Sequence, residues 1–327
     1  MARMTVLKSG DGLIIRGRNT YAVDKTGWTK CDYHIISHAH SDHLPTRIYG
    51  RPIASRETAL LAAQRGLPLQ AASEDACEDV ELIDSGHILG SRAALIEDRI
   101  LYTGDLNVRN RLFLKGFTPP KADVLIIEGT YGRGDFVFDD FGTIVQRISE
   151  YVLEMLSKGQ RIMALGYALG KSQVLTNIFT WFDRLVVSDR VDRFNRVYSS
   201  LGVDLRTDYL TYSEAEKSGV LEKNSWLMIE EPRWSIRKKV AHRYGALCMG
   251  FSGWTSRGGQ YGWRRLDAGF PLSDHSDFKE LVEVVEQVDP EETYVFCGFA
   301  DNFAKHLRSL GYDAYPLGSG RKLITDF

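Results

Sequence analysis

No stretch of this sequence stays apolar for the roughly 18–20 residues that a bilayer-spanning helix requires, so such a helix is not expected. The opening residues, Met1-Ala2-Arg3-Met4-Thr5, run into mixed polar sequence without the apolar core of a secretory leader. The expectation is therefore a cytoplasmic protein that makes no use of a membrane. Cysteine is scarce: the chain has four, Cys31, Cys77, Cys248 and Cys297, and no two stand in C-x-x-C spacing. That argues against a disulfide framework and against a zinc knuckle. Charge of one sign is also lacking. The net charge is −2, so no global field gathers a polyanion, and any attraction to nucleic acid must be local. There is neither an internal repeat nor a low-complexity linker.

What is present is an ordinary soluble balance, 43% hydrophobic and 26% charged, in 327 residues. The first third reads as short β-rich runs: 12–16, 19–23, 33–37, 93–96, 99–103 and 124–128, with Asp98 in a tight turn. Ser55 can cap a helix over 55–64. From Asp139 the rhythm changes. Ile144, Val145, Ile148, Val152, Leu153 and Leu156 keep a helical period over 141–157, followed by a strand over 161–165 and a helix from Lys171. After about residue 264 come a strand (270–273), a helix (277–287), a strand (293–297), a helix (302–309) and a last short strand. Helix–strand alternation within a β-rich frame points to an α/β module inserted into an α/β domain. The expected boundaries are 1–139 and 265–327 for the host domain and 140–264 for the insertion.

The densest chemistry is His38-Ala39-His40-Ser41-Asp42-His43, directly after an apolar strand. Imidazole and carboxylate suit a borderline divalent ion such as Zn²⁺. Residues i and i+2 on extended chain point alike, so His38 and His40 can share one ion. Asp42 and His43 can face a second. Two ions need further ligands, and His87, between Gly86 and Gly90, and Asp105, at a strand end, supply them. A lone histidine is more often an ordinary core or surface residue. Here five of the eight histidines (38, 40, 43, 87 and 275) fall in three short motifs, which counts against that reading. Asp24, ending the preceding strand, either orients a ligand from behind or is a plain turn aspartate.

The pattern H-x-H-x-D-H with a distant His and a distant Asp resembles the metallo-β-lactamase superfamily. That resemblance implies an αββα sandwich with metals at one rim. Gly86-His87-Ile88-Leu89-Gly90-Ser91, Thr103-Gly104-Asp105, Glu128-Gly129-Thr130-Tyr131-Gly132 and Ser273-Asp274-His275-Ser276-Asp277 resemble the β-CASP nuclease branch. Tyr167-Ala168-Leu169-Gly170-Lys171-Ser172-Gln173 is similar to ligase-associated DNA exonucleases; 3′-end mRNA processing factors belong to the same branch. The likeness implies that Glu128 orients His275 and that His275 protonates the leaving oxygen, with Asp42 also in the catalytic set. It further implies one or two Zn²⁺ ions, or Mn²⁺, on His38, His40, Asp42, His43, His87 and Asp105. One departure stands out. The branch usually carries a His-Gly pair as a metal ligand, where this chain has Cys297-Gly298. Cys297 either ligates in its place or packs as an unliganded thiol. A DNA-acting branch also lacks that histidine, which tilts the expectation toward DNA.

Between 226 and 265, Arg233, Arg237, Lys238, Lys239, Arg243, Arg257, Arg264 and Arg265 interleave with Trp226, Trp234, Tyr244, Trp254, Tyr261 and Trp263. Basic groups neutralise phosphates, and aromatic faces stack on unpaired bases. The plain alternative is a solvated basic face over core tryptophans. Ser252, Gly253, Trp254, Thr255, Ser256, Arg257 and Gly258 form a Gly-rich loop whose amides and hydroxyls could cradle a phosphate. The reading is a metal-dependent nuclease, a DNA exonuclease acting on single strands. An RNA-processing nuclease of the same branch is the main alternative. A small-molecule hydrolase is weakened by the Glu128 and His275 motifs, and a non-catalytic scaffold by the intact ligand set.

Overall fold

The structure, a computed structural model, describes residues 4–69, 72–223, 225–257, 266–317 and 323–325. The chain divides into two compact units. Met1–Asn110, Leu114–Val137 and His275–Phe327 form the first, and Arg111–Phe113 with Phe138–Asp274 form the second.

The first unit holds two six-stranded sheets. One runs in the order Leu323–Thr325, Met4–Ser9, Gly12–Arg16, Thr20–Val23, Tyr33–Ile35, Arg51–Ile53. The other runs Ala314–Pro316, Glu292–Phe296, Val124–Glu128, Ile100–Tyr102, Arg92–Ile96, Val80–Asp84. The strand Val124–Glu128 is buried along its whole length, and its two-residue period divides it between two cores. Val124 and Ile126 join Tyr21, Val23, Ile35 and Ile53 between the sheets. Leu125 and Ile127 face the other way, onto the helices Phe278–Val288 and Ala300–Ser309. Continuous apolar strands are what a sheet covered on both faces demands. Asp277 caps the first of these helices in a capping box with Glu280, and Leu281, Val284, Val285 and Val288 form its buried stripe. Burying each such side chain contributes about 1.5–3 kcal/mol.

The second unit is built on one all-parallel sheet, ordered Leu210–Thr211, Leu185–Val187, Leu227–Glu230, Ile162–Leu165, Leu247–Phe251, Ala268–Phe270. Parallel neighbours need crossover connections, and the helices Lys171–Ile178, Asp189–Ser200 and Trp234–Tyr244 lie along them, while Phe141–Ser157 precedes the first strand. The strand expected over 270–273 as part of the closing host segment is instead Ala268–Phe270, paired with Leu247–Phe251 in this sheet. Pro271 cannot donate to a ladder, so pairing stops at Phe270, and the first unit resumes at His275 rather than near 265. Among the described residues, no helix is long and apolar enough to cross a membrane.

Strand polarity in the first unit collects the polar residues of interest. Asp24 and His38 follow the neighbouring parallel strands Thr20–Val23 and Tyr33–Ile35. Asp105, Glu128 and Cys297 lie at the C-terminal ends of three successive parallel strands, Ile100–Tyr102, Val124–Glu128 and Glu292–Phe296.

Candidate metal centre

Four residues from three strand ends converge. One ligand atom each from His38, His40, His87 and Asp105 lies within 4.8 Å of all the others. His38 Nε2 and His87 Nε2 stand 3.5 and 3.6 Å from Asp105 Oδ2, and His87 Nε2 is 3.1 Å from His40 Nδ1. A tetrahedral ion with bonds of about 2.1 Å separates its ligand atoms by about 3.4 Å, so these spacings match such an ion. His38 Nε2 is buried without a hydrogen-bond partner among the described residues. A buried polar atom left unmet costs about 1–3 kcal/mol, and an ion in the cluster would meet it. The residues therefore fit a divalent metal. Gly86 makes the placement of His87 possible: it adopts φ +72°, and a Cβ there would lie 2.2 Å from the Asn107 carbonyl oxygen.

His43 approaches the same carboxylate oxygen, Nε2 to Asp105 Oδ2 at 3.4 Å. Its other nitrogen, Nδ1, is 2.8 Å from Asp24 Oδ2. Asp24 accepts further bonds from the Ser37 amide at 2.7 Å, the Ser37 hydroxyl at 2.8 Å and the Tyr102 hydroxyl at 2.6 Å. The Asp24 carboxylate is thus a buried acceptor behind the cluster, placed to orient His43. Burial alone would lower the His43 pKa, but the carboxylates of Asp105 and Asp24 overcome it and hold the imidazole well above its usual range. Burial and then the charge of His43 press His38 well below that range, so in the metal-free state it is a neutral ring ready to ligate. Burial would raise Asp105; His43 and His275 outweigh it and keep the carboxylate ionised.

Glu128 is fully buried, and both its carboxylate oxygens lie 3.0 Å from His275 Nδ1. The Leu106 amide donates to Oε1 at 2.7 Å and fixes the acid in place. The His275 ring centroid is 4.5 Å from that of His87, so this pair adjoins the histidine cluster.

Two other expected residues are not among these converging donors. Asp42 sits in the turn after His40, exposed, with no hydrogen bond or ion pair among the described residues. Cys297 adopts φ +53° and is absent from the converging donors; its Sγ is 3.9 Å from Thr130 Oγ1. The residue as a whole is exposed, although its thiol is shielded from water. Burial first, then the charges of Glu128 and Asp105, push that thiol well above the ordinary range, which disfavours the thiolate a metal needs.

In the second unit the loop 252–257 is a short 3₁₀ turn with its hydroxyls engaged at home. Thr255 Oγ1 donates to the Ser252 carbonyl and Ser256 Oγ to the Gly253 carbonyl, both at 2.8 Å. Ser252 is buried, and its Oγ accepts from the Trp254 amide at 3.4 Å. The Thr255 and Ser256 hydroxyl donors expected for phosphate are therefore engaged within the turn. Trp226 and Tyr244 are core residues, and Trp254 packs against that core. Arg233 pairs with Glu231, and Arg243 with Glu216 and Glu222. Stacking by Trp226 and Tyr244 is thus corrected, because both fill the core of this unit; the Trp234 side chain, and Tyr261, Trp263, Arg264 and Arg265 altogether, lie outside the described residues. Arg237 and Lys238 fall on the helix Trp234–Tyr244, and Arg257 ends the 3₁₀ turn; their side chains, and Gly258 altogether, lie outside the described residues. Sequence reasoning missed Ser37 and Tyr102 as partners of Asp24. Only the place of Ser37, directly before the first histidine, could have signalled one of them.

No family model matches the chain. Against curated proteins, it is 29% identical over 306 residues to a protein of Opitutus terrae named probable DNA ligase, an alignment covering 88% of this chain and 29% of that protein. It is 27% identical over 199 residues to an RNase J-like protein of Methanocaldococcus jannaschii, covering 51% of this chain and 47% of the relative. It is 36% identical over 101 residues to cleavage and polyadenylation specificity factor subunit 3 of Dictyostelium discoideum, covering 29% and 13%. The chain thus spans about half or less of the length of these relatives. A solved structure, a protein of unknown function from Enterococcus faecalis V583, superposes with a TM-score of 0.65 at 12% identity, covering 99% of this chain and 100% of that one; it speaks to fold alone. The fold and the site define a mixed α/β protein with a largely buried histidine–aspartate cluster that could hold a metal ion. The relatives, at 27–36% identity, accord with the motifs' resemblance to the metallo-β-lactamase superfamily and its β-CASP branch.

Proposed function

We propose that this chain is a metal-dependent nuclease that hydrolyses phosphodiester bonds of single-stranded DNA from an end, with Zn²⁺ as its ion and Mn²⁺ as a substitute. The observation that carries the reading is the Glu128–His275 pair adjoining the histidine cluster, with ring centroids of His87 and His275 4.5 Å apart. A hydrolase that only needed an ion would not require a carboxylate-oriented imidazole beside it. His38, His40, His87 and Asp105 would hold one ion, and His43 with Asp42 would serve a second. When bound, the metal supplies a lowered pKa for water and charge stabilisation at the phosphoryl group. Glu128 keeps the proton on His275 Nδ1 and aims the ring, and His275 gives a proton from its other nitrogen to the departing oxygen. The two-sheet unit is the αββα host of this site, and the parallel-sheet unit over 138–274 is the β-CASP-like insertion. Exposed basic residues of that unit, Lys239 among them, together with Arg237 and Lys238, would neutralise phosphates.

RNA is the second substrate to consider, because two relatives are named as an RNase J-like protein and a polyadenylation specificity factor. The test is purified protein with Zn²⁺ or Mn²⁺ against end-labelled single-stranded DNA and RNA, with Asp105→Ala beside it. Stepwise loss of DNA from one end is expected, abolished in the variant. Cleavage of RNA alone favours the second reading. No cleavage of either polymer, or equal cleavage by the variant, overturns both.

A further inference from the structure

His34 is a fully buried histidine outside the converging donors, and both of its ring nitrogens are engaged with backbone. Its partners settle its tautomer. Nε2 lies 2.8 Å from the Asp24 carbonyl oxygen, which can only accept, so Nε2 carries the proton. Nδ1 accepts from the Tyr49 amide at 3.4 Å, and the two rings stack with centroids 5.9 Å apart. Burial holds the ring below its ordinary pKa, which keeps it neutral. Tyr49 ends the stretch that leaves the cassette after His43, and Asp24 is the acid that binds His43 Nδ1 at 2.8 Å. The contacts therefore close a circuit: His43, the chain 44–49, His34, Asp24 and back to His43.

Asp24 needs holding. It adopts φ +56°, a left-handed conformation that costs a residue with a Cβ about 1 kcal/mol. Its amide donates to the Ile35 carbonyl at 2.8 Å, and its carbonyl accepts from the Thr26 amide at 2.9 Å as well as from His34. With the backbone so fixed, the carboxylate reaches Ser37, His43 and Tyr102. A core histidine is most simply a satisfied polar group, and an apolar side chain would fill the same volume without the cost of burying polar atoms. That account omits the partner. The bond goes to the backbone of the same residue whose side chain meets His43.

We propose that His34 is a positioning residue for the metal centre, acting through Asp24, which it holds in the conformation that aims His43. The inference rests on the reading of the cluster as a metal site. Without the His34 donor, one side of the Asp24 carbonyl is released, the strained residue relaxes, and its carboxylate turns from His43.

The experiment measures Zn²⁺ affinity of the full chain by competition with a chelator. His34→Leu removes the donor and is expected to weaken binding about tenfold. His34→Gln should recover most of the loss, because its amide nitrogen stands as many bonds from Cα as Nε2 does and can donate to the Asp24 carbonyl. His34→Asn, whose amide extends only as far as Nδ1, should stay as weak as His34→Leu. In an Asp24→Asn background, His34→Leu should add no further loss. Unchanged affinity in His34→Leu, equal affinities in the Gln and Asn variants, or losses that add, overturn the proposal. If His34→Leu does not fold, His34→Asn takes its place in the same cycle. Nitrogen-15 NMR of the His43 ring in metal-free protein, assigned by difference from His43→Ala, gives a readout independent of binding. The Nδ1 resonance should shift in His34→Leu, or in His34→Asn in its stead, and return in His34→Gln; an unchanged resonance overturns the proposal. Should the unaltered protein bind no Zn²⁺, the metal reading fails, and the ring resonance still decides whether His34 acts on His43 through Asp24.

Discussion

His43 Nδ1 and Asp24 Oδ2 lie 2.8 Å apart, with the hydroxyls of Ser37 and Tyr102 donating to the same carboxylate oxygen. With the Ser37 amide donating to the other oxygen, four groups meet on one buried acid behind the histidine cluster. Asp24→Asn keeps the shape but removes the charge that favours the His43 Nδ1–H bond. Metal affinity is expected to fall about 10–100-fold, as read by competition with a chelator. An affinity equal to that of the unaltered protein would remove Asp24 from the site.

Among the described residues, Asp105 is the one carboxylate paired with all three of His38, His43 and His87, at 3.5, 3.4 and 3.6 Å. Asp105→Asn should lower the metal bound per chain, measured by elemental analysis after gel filtration. Stripping metal from the unaltered protein should leave His38 Nε2 without a partner. A drop in melting temperature is expected, reversed by adding Zn²⁺.

Cys297 lies outside the converging donors, and its thiol is held protonated by burial and by the acids nearby. Cys297→Ala is expected to leave metal stoichiometry unchanged. A loss of one ion per chain would show that the thiol ligates after all.

Lys171 makes a pH prediction with a definite sign. Burial lowers it from its ordinary 10.5 to about 8, with Asp274 offsetting part of the shift and Arg111 adding to it. Below pH 8 both folded and unfolded chains carry the charge, and the folded one bears the full desolvation cost. Between pH 8 and 10.5 the unfolded chain binds the extra proton, so this group's contribution to stability rises with pH by about 3 kcal/mol in all. Tyr21, Tyr102 and Tyr294 are raised in the folded state, chiefly by burial, and oppose this above their ordinary value of 10. The clean measurement is the difference in denaturant stability between the unaltered protein and Lys171→Met from pH 7 to 10. It should shift in favour of the unaltered protein as pH rises; a flat difference would contradict the lowered pKa.

Glu128→Gln keeps an acceptor for His275 Nδ1 but cannot stabilise a protonated ring. A fall in kcat of about 100-fold or more is expected on single-stranded oligonucleotide, with little change in KM. An unaltered rate would separate this pair from the chemistry.

Much of the frame was legible because it is local. The strand 124–128 and the helix 141–157 have the same bounds in sequence and in structure, and Ser55 caps its helix by accepting from the Thr58 amide at 3.0 Å. Apolar period and capping chemistry act over a few residues, so a one-dimensional reading recovers them. The closing boundary was less legible. Phe270, Leu272 and their neighbours look alike whichever sheet they join, and only pairing with Leu247–Phe251 assigns the strand 268–270 to the second unit.

The His38–His43 cassette, His87, Asp105, Glu128 and His275 were visible from sequence because their residue types are rare together. Their types alone made metal chemistry the natural reading. The tertiary structure decided which of them converge. Parallel strands bring Asp24 beside His38, and Asp105 beside Glu128, while Asp42 stays exposed on its turn and Cys297 stays out of the donor set. It also decided that Trp226 and Tyr244 fill a core, and that Lys171, more than 100 positions before His275, reaches the carboxylate next to it. The reason is physical. Residue type and short spacing carry local preference, whereas the meeting of distant side chains depends on strand order and register, which no local signal encodes.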